Sequence, residues 1–478
     1  MKRFKKPIYL FASTALLLSS CELTEVTNPY VTEERFIPSF QSLDTWLNGV
    51  RRQASVTVGT VVEFSELVSD NYFNNYTQSS KVFDNPEINY FDQDVANIQA
   101  AIHKLMEMSE FGLNKLIPLQ KEDVSQQKAE LLFFQAYAHI LGAELYVGLP
   151  TEALGEVQSS NELLENAITM LTEASDLFSE TEDQEACILL TARCHYGLGN
   201  LEEATQLSRE AIHHPLSLRQ VHYGTENGPS NNFQSYIFSS TTNSFAPLPR
   251  LDFLDPKYFH QTTNIFEDQK PIAIAKAEEA YLILAEALTA QENISAAKQV
   301  LRDLLNDCVS KRPKTMLDDS KDTRNGGNRK DYPLTAVSVK FDAASTPKEG
   351  LVLDRSSGNI PAYSVSGTHV TLSDIDAVAT ADEALYLVYL MRQEIFIAEG
   401  RRMTDLGIRF PISQREQLSN SHVTDEHLKA VIPDFIPRNR GLDDFTYDTA
   451  SGIVTMKHDM NRVLVQHKTS PYIMPFHQ

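Results

Sequence analysis

The stretch SDNYFNNYTQSS at residues 69–80 places aromatic rings and amides side by side, which is side-chain chemistry for recognition. Flat aromatic faces stack on sugar rings or on peptide side chains, while amides donate and accept hydrogen bonds at the same time. The alternative is a capped turn whose aromatic rings are packed inward, and the sequence leaves both interpretations open. On the first interpretation, the candidate ligand-binding residues are Asp70, Tyr72, Asn74, Asn75 and Tyr76.

A second candidate lies in RNGGNRKDY at residues 324–332, where two glycines stand between basic residues. A phosphate-binding loop needs a strand before it and a helix after it, and the sequence here indicates neither. The stretch is therefore interpreted as a surface loop that offers Asn328 and Tyr332 as further ligand-binding candidates.

Motifs of catalysis are absent from the sequence: it has no zincin helix, no nucleophile elbow and no dinucleotide-binding fingerprint. These motifs therefore give no indication of a catalytic or cofactor site, and no cofactor is predicted. Cys187 and Cys194 lie seven residues apart on a predicted helix, beside His195, so a metal site is conceivable there. Small buried thiols are the simpler role for such cysteines, and no metal is predicted.

The formal net charge of −22 at pH 7 restricts the possible partners. A surface this acidic repels nucleic acid and anionic membrane surfaces, so we predict no nucleic-acid partner. The charge favours a neutral ligand, a cationic ligand or another protein.

Residues 1–20 have the layout of a lipoprotein signal peptide, with four basic residues among the first six. The apolar run from Pro7 to Leu18 is too short to span a bilayer core of about 30 Å. It leads through small residues into Cys21, which resembles a bacterial lipobox. We predict that Cys21 is lipidated and anchors the chain to the outer-membrane lipid, followed by a polar tether at 21–45. The alternative is an ordinary signal peptide with a chance cysteine.

Helical periodicity dominates 129–212, 276–309 and 380–407. Residues 185–212 are predicted to form two helices joined at a glycine-rich turn, with small residues where the helices approach, which is typical of a tetratricopeptide unit. Residues 276–309 repeat this pattern, and 129–180 supplies the third pair that such a stack needs.

The remaining stretches, 46–128, 216–270, 310–378 and 410–478, are predicted to form a loop-rich ligand side. One β-hairpin is predicted at 445–456, around Ala450-Ser451-Gly452. The predicted fold class is mainly α: a tetratricopeptide-like helical-repeat scaffold with long irregular loops and a little β-hairpin, in one domain over 46–478.

Three stretches match one known family. Residues 129–150 end in a turn with Tyr146, Gly148 and Pro150, and residues 399–406 read EGRRMTDL. The third stretch, 271–288, contributes Glu279, Tyr281, Leu282, Ala285, Glu286 and Ala287. Together with the lipobox, these stretches resemble the SusD/RagB family of Bacteroidota outer-membrane nutrient-binding lipoproteins, in which a helix reads Glu-Gly-x-Arg-x-x-Asp-Leu.

The resemblance implies a SusD-like fold and a cell-surface lipoprotein that is not an enzyme and that captures an oligosaccharide, or in some cases a peptide. The ligand would be delivered to a SusC-like TonB-dependent transporter, and the protein would face the cell exterior. Acidic Glu22 and Glu25 beside the lipobox resemble a surface-export signal. Family members usually carry tryptophan where this chain reads INYFDQDVANIQAAI (88–102), so glycan and peptide ligands both stay open. The alternative function is a lipid-anchored helical-repeat scaffold that assembles other proteins.

The stretch IAEGRRMTDLG at 397–407 is interpreted as part of the scaffold, with Glu399, Gly400, Arg402 and Asp405 as the structural signature. The three charged signature residues fall three apart, so we predict that they line one helical face and pair in sequence. Arg402 is predicted to hold the helix end to a neighbouring part of the chain, and Arg401 to be solvated. Acidic residues at 382 and 383 suit the helix start, and a glycine at 407 suits its end.

Overall fold

The computed structural model describes residues 42–75, 81–224, 228–237, 244–258, 268–322, 329, 331–356, 358–438, 442 and 444–478. The helices in these ranges are α1 (Ser42–Val68), α2 (Gln93–Phe111), α3 (Ser125–Leu145), α4 (Ser160–Leu177), α5 (Thr181–Gly197), α6 (Leu201–Ala211), α7 (Asn232–Ile237), α8 (Glu278–Ala290), α9 (Ile294–Asp303), α10 (Leu372–Ala377), α11 (Ala381–Ile395), α12 (Arg402–Asp405), α13 (Gln414–Ser419) and α14 (Met460–Gln466). Short 3₁₀ and π turns extend several of their ends.

Short strands join the loops in small sheets. Their bounds are β1 (Tyr72–Asn74), β2 (Leu149–Pro150), β3 (Val157–Gln158), β4 (Leu218–Val221), β5 (Phe245–Pro247), β6 (Ile272–Lys276), β7 (Lys314–Asp318), β8 (Ser338–Lys340), β9 (Asn359–Tyr363), β10 (Phe445–Asp448) and β11 (Ile453–Met456). The antiparallel pairs are β1–β5, β2–β3, β4–β6, β7–β9 and β10–β11, and β8 pairs with β11 in parallel.

Several helices begin at side chains that satisfy the free backbone N–H groups of the first turn. Capping boxes formed by Ser159 with Glu162, and by Thr380 with Glu383, open α4 and α11. The side chain of Asn293 accepts from the backbone N–H of Ala296 and opens α9. These caps fix where each helix turns back on its neighbour.

The predicted helical pairs are confirmed. Helix α3 packs on α4, α5 on α6, and α8 on α9, and contacts of α4 with α5 and of α6 with α8 join the pairs into one stack. Helix α8 is its centre, since every residue from Glu278 to Thr289 is buried, and α11 packs against it. Each pair hides its apolar face against the next, as helical-repeat proteins require. The predicted hairpin is also confirmed, with Phe445 opposite Met456 across it.

The segment 46–128 differs from the prediction of a loop-rich region, because the long helices α1 and α2 occupy much of it. Helix α1 begins at Ser42, inside the predicted tether. Its β-branched residues have modest helix propensity. They nevertheless recur at helical spacing, and Val50, Val58 and Val61 are each at most 3% exposed, so burial outweighs propensity.

The predicted signal peptide, Cys21 and the tether up to residue 41 lie outside the described residues. Among the helices that the structure describes, none combines the length and the hydropathy needed to cross a membrane.

Candidate functional site

Asp70 and Tyr72, two of the predicted ligand contacts, are buried against other parts of the chain. The Asp70 carboxylate accepts from Arg402 at 2.5 Å (Nε) and 3.0 Å (Nη2). Burial would raise the pKa of Asp70, but the charge and hydrogen bonds of Arg402 outweigh it and lower that pKa. The Tyr72 hydroxyl donates to Asp255 at 3.0 Å, and its ring meets Phe233 edge to face.

Asn74, Asn75 and Tyr332 are also buried, at 3%, 2% and 8% exposure. The backbone N–H of Asn74 donates to the Asp84 carboxylate at 3.0 Å. The Tyr332 hydroxyl donates to the Pro247 carbonyl at 2.8 Å. These residues are packed in the interior around strands β1 and β5.

The expectation that this loop exposes its recognition side chains is therefore corrected for Asp70, Tyr72, Asn74, Asn75 and Tyr332. The second alternative, with aromatic rings packed inward, describes them. Aromatic residues between amides indicate recognition chemistry but not the direction in which the rings point. Tyr76 and Asn328 lie outside the described residues, and their role stays a prediction.

The charged signature residues are buried in ion pairs, and their partners lie elsewhere in the sequence. Glu399 accepts from Lys257 and Lys276 at 2.5 and 2.8 Å. Asp405 accepts from Arg392 at 2.8 Å. The prediction that Glu399, Arg402 and Asp405 pair with one another is wrong, because the helix breaks before Arg402.

Arg402 does hold distant chain segments together, since it donates to Asp70 and, at 2.9 Å, to the Asn461 side chain. The prediction of a solvated Arg401 is wrong. Arg401 is 6% exposed and donates to Glu279 at 2.6 Å. A basic residue in an apolar stretch of sequence therefore marked a buried ion pair.

Cys187 and Cys194 are buried, as predicted, and so is Cys308. Burial raises the pKa of the Cys187 thiol to about 12, which keeps it protonated. Within the described ranges, no three acidic, histidine or cysteine side chains come together as a metal site would need.

An exposed aromatic pair precedes α2, at a position that the sequence-based prediction did not select. Phe91 is 60% exposed, and its ring meets the half-buried Tyr90 ring edge to face at 5.4 Å. The Tyr90 carbonyl accepts from the backbone N–H of Gln414 at 2.7 Å. Asn89 forms an antiparallel bridge with Lys429. These two backbone contacts therefore fix the loop that carries the pair.

Two exposed amides continue this surface along α2. Gln93 and Asn97 lie one turn apart, and Gln93 donates to the Asn97 side-chain oxygen at 2.9 Å. We define Tyr90, Phe91, Gln93 and Asn97 as the aromatic–amide surface. Its sequence signal was available in INYFDQDVAN, where two adjacent aromatic residues stand close to Asn89, Gln93 and Asn97.

No protein-family model and no curated protein matches the chain. Solved structures do. A SusD superfamily protein from Bacteroides fragilis is 15% identical with a TM-score of 0.53, over 82% of this chain and 100% of that one. A putative sugar-binding protein from Bacteroides vulgatus is 12% identical with a TM-score of 0.52, over 83% and 98%.

A SusD-like carbohydrate-binding protein from Bacteroides vulgatus is 14% identical with a TM-score of 0.51, over 75% of this chain and 81% of that one. At identities this low, the comparison shows a similar fold and does not identify the ligand. The chain has the SusD-type fold, which confirms the fold that the sequence resemblance implied.

Proposed function

We propose that this protein is a lipoprotein of the outer-membrane surface that binds an oligosaccharide and delivers it to a SusC-like TonB-dependent transporter. The observation that supports this most is the SusD-type fold, because two of the similar structures are described as carbohydrate-binding or sugar-binding proteins. The absence of catalytic motifs from the sequence agrees with a binding role without catalysis.

The aromatic–amide surface is the proposed contact region for the ligand. A sugar ring presents apolar C–H faces beside hydroxyl groups, so it suits an exposed ring such as Phe91 next to amides that donate and accept. Gln93 and Asn97 supply those amides on the adjoining helical turn. None of the four residues that define this surface is basic, so a neutral glycan is the expected class rather than an anionic one.

A peptide remains the competing ligand, because the resemblance includes peptide-binding members and an exposed ring also packs on aliphatic side chains. The overall charge of −22 would then favour a cationic peptide. A glycan array and a library of basic peptides, both probed with the purified full chain, separate these two ligands.

Replacing Phe91 by alanine tests the site. We expect Phe91→Ala to weaken binding of the best array glycan by roughly 0.5–1.5 kcal/mol, the range for an aromatic contact, because the exposed ring is lost. Isothermal titration calorimetry measures this affinity. Leu154→Ala is the matched control, since Leu154 is likewise 60% exposed but lies outside the aromatic–amide surface.

An unchanged affinity in Phe91→Ala would place the glycan elsewhere on the molecule. Binding of basic peptides in place of any glycan would overturn the oligosaccharide assignment. Neither variant is expected to change the unfolding midpoint appreciably, because both side chains are largely exposed.

A further inference from the structure

A cavity of about 360 Å³, lined by both apolar and charged side chains, lies between the helical stack and the C-terminal segment 471–478. Its walls include residues of α3, α5, α11 and α12, and the chain just after α12. The charged residues lining it are Glu144, Arg392, Arg401, Asp405 and Arg409. Its volume lies at the lower end of the range for small-molecule sites, which begins at about 300 Å³.

Two buried guanidinium groups at this cavity have donors without a protein acceptor. Arg392 is 1% exposed and uses Nε and Nη2 on one oxygen of Asp405, at 3.1 and 2.8 Å. Its Nη1 meets no acceptor in the part of the chain that the structure describes. The Nη2 of Arg401 donates to the Glu279 carboxylate. Within the same ranges, the Nε of Arg401 also has no acceptor. Buried donors of this kind cost free energy unless something accepts from them.

Arg409 is the third guanidinium group. Its Nη1 donates to the Ser160 hydroxyl at 2.5 Å, and no carboxylate within the described ranges lies at ion-pair distance from it. Burial lowers the pKa of Arg409, and the charge of Glu144 opposes that effect. An arginine remains charged at neutral pH in such a setting, so its charge is only partly compensated.

The two carboxylates at the cavity do not balance these charges. Glu144 already forms an ion pair with Arg193, whose Nε donates to its carboxylate at 2.7 Å. Asp405 is bonded to Arg392 through Oδ1, while its Oδ2 meets no donor among the described residues. A ligand in this cavity would therefore have to accept hydrogen bonds from the guanidinium groups and donate one to Asp405. The buried hydroxyl of Thr404, also without a described partner, adds a further polar contact.

We propose that this cavity binds a small carboxylate that also carries hydrogen-bond donors. The carboxylate would accept from Arg392, Arg401 and Arg409, since guanidinium groups match its planar oxygens. Hydroxyl or ammonium groups on the same molecule would donate to Asp405. A sugar acid and an amino acid both have this chemistry and fit a cavity of this size. The site is separate from the aromatic–amide surface and does not depend on an oligosaccharide binding there.

Calorimetry on the full chain with three probes tests the proposal. Glucuronate and glutamate represent the two sources of the carboxylate, and glucose is the neutral control. We expect one of the two carboxylates to bind with a stoichiometry of about one and to raise the unfolding midpoint, while glucose does neither, because only the carboxylate compensates the guanidinium charge. Binding by neither carboxylate, or equal binding by glucose, would overturn the proposal and leave a water-filled cavity.

Two variants localise the binding. Arg409→Gln should weaken the bound carboxylate about tenfold or more, as expected for a lost charge-assisted hydrogen bond. Thr404→Val keeps the side-chain shape, and should weaken it by a smaller factor. Arg209→Gln removes an exposed positive charge on α6 and should leave affinity unchanged.

Affinity that survives both Arg409→Gln and Thr404→Val would place the carboxylate outside this cavity and refute the assignment. Phe91→Ala should leave carboxylate binding unchanged, so the outcome is distinct from that of the proposed oligosaccharide site.

Discussion

Arg402 shows how a single buried side chain ties together residues far apart in the sequence. Its guanidinium group donates to Asp70, which follows α1, and to Asn461 in α14, while Arg250 lies 3.8 Å from the same Asp70 carboxylate. Buried charges are tolerated when hydrogen bonds satisfy them, so the pairing fixes the position of three segments at once. Removing one partner leaves the other charge buried.

Arg402→Met should therefore destabilise the protein by about 3–5 kcal/mol, because Asp70 would lose its main partner in the interior. Chemical denaturation followed by circular dichroism measures the free energy of unfolding. The control is Arg415→Met, since Arg415 is exposed on α13 and should change stability by about 0.5 kcal/mol or less. A loss below about 1 kcal/mol in Arg402→Met would show that Arg250 can replace Arg402 as the partner.

Glu286 in α8 is a second buried charge, and it makes stability depend on pH. Burial raises its pKa from 4.5 to about 7, against the charge of Arg392 and hydrogen bonds from Tyr196 and Tyr389. The folded chain therefore retains a proton that the unfolded chain has released between these two pH values. Its contribution to stability is present in full below pH 4.5 and is lost as the pH rises through about 7.

Glu286→Gln cannot titrate, so the variant should gain stability relative to the wild type as the pH rises. We expect its free energy of unfolding, relative to wild type, to improve by about 1–3 kcal/mol from about pH 5 to about pH 8. Urea denaturation at both pH values measures the change. Glu203→Gln, at an exposed position of α6, should show none. A difference that is the same at both pH values would mean that Glu286 is ionised throughout.

At the scale of elements, the break between α11 and α12 sets the arrangement of the signature residues. Ala398 and Gly400 have left-handed backbone conformations, with φ of 59° and 73°. The backbone N–H of Gly400 donates to the Glu66 carboxylate of α1 at 2.8 Å. The turn ends the helical path of α11 and ties it to α1, and after it Arg401 pairs with Glu279 and Arg402 with Asp70.

Gly400→Ala should destabilise this turn by about 1–3 kcal/mol, because a left-handed conformation and crowding both oppose the added methyl group. A Cβ at this position would lie 3.0 Å from the Ser65 hydroxyl and 3.3 Å from Val61. Gly350→Ala is the matched control, since Gly350 has a φ of 78° and open space around it. Thermal and urea unfolding of both variants separate the two costs, and equal losses would assign the whole effect to backbone conformation.

The elements were predictable where the residue pattern itself determines them. Helical periodicity and small residues predicted the pairs α5–α6 and α8–α9, joined at a glycine turn in the first and at Asn293 in the second, and alternation predicted the hairpin β10–β11. The break after α11 was not predictable, because the helical pattern runs through Ala398 and the partner Glu66 is far away in sequence. The prediction that the ligand candidates around Tyr72 are exposed was wrong for a similar reason. Long-range packing against β5 and Phe233 decides which way those rings point.

At the scale of the whole molecule, the proposed function depends on a chain held at a membrane surface by one lipid. The net charge of −22 opposes electrostatic adhesion to anionic membranes. Under the proposal, lipidation of Cys21 therefore supplies the attachment, and the tether lets the domain reach a transporter.

Cys21→Ala should release the protein from the membrane fraction, because the variant lacks the thiol that would carry the lipid. Fractionation of the native host, with detection by an antibody against the domain, measures the distribution. Cys308→Ala is the control, since it removes a buried thiol and should leave the protein in the membrane fraction. Retention of Cys21→Ala at the membrane would show that a protein partner, rather than a lipid, provides the attachment.

Protease treatment of the same cells shows which face of the membrane the domain occupies. A ligand-capturing protein must meet its ligand outside the cell, so protease added to intact cells should degrade the wild-type chain. A periplasmic marker protein should survive that treatment and be lost only after lysis. If the chain survives together with the marker, surface capture is ruled out, and a helical-repeat scaffold that assembles proteins within the envelope becomes the better account of the same fold.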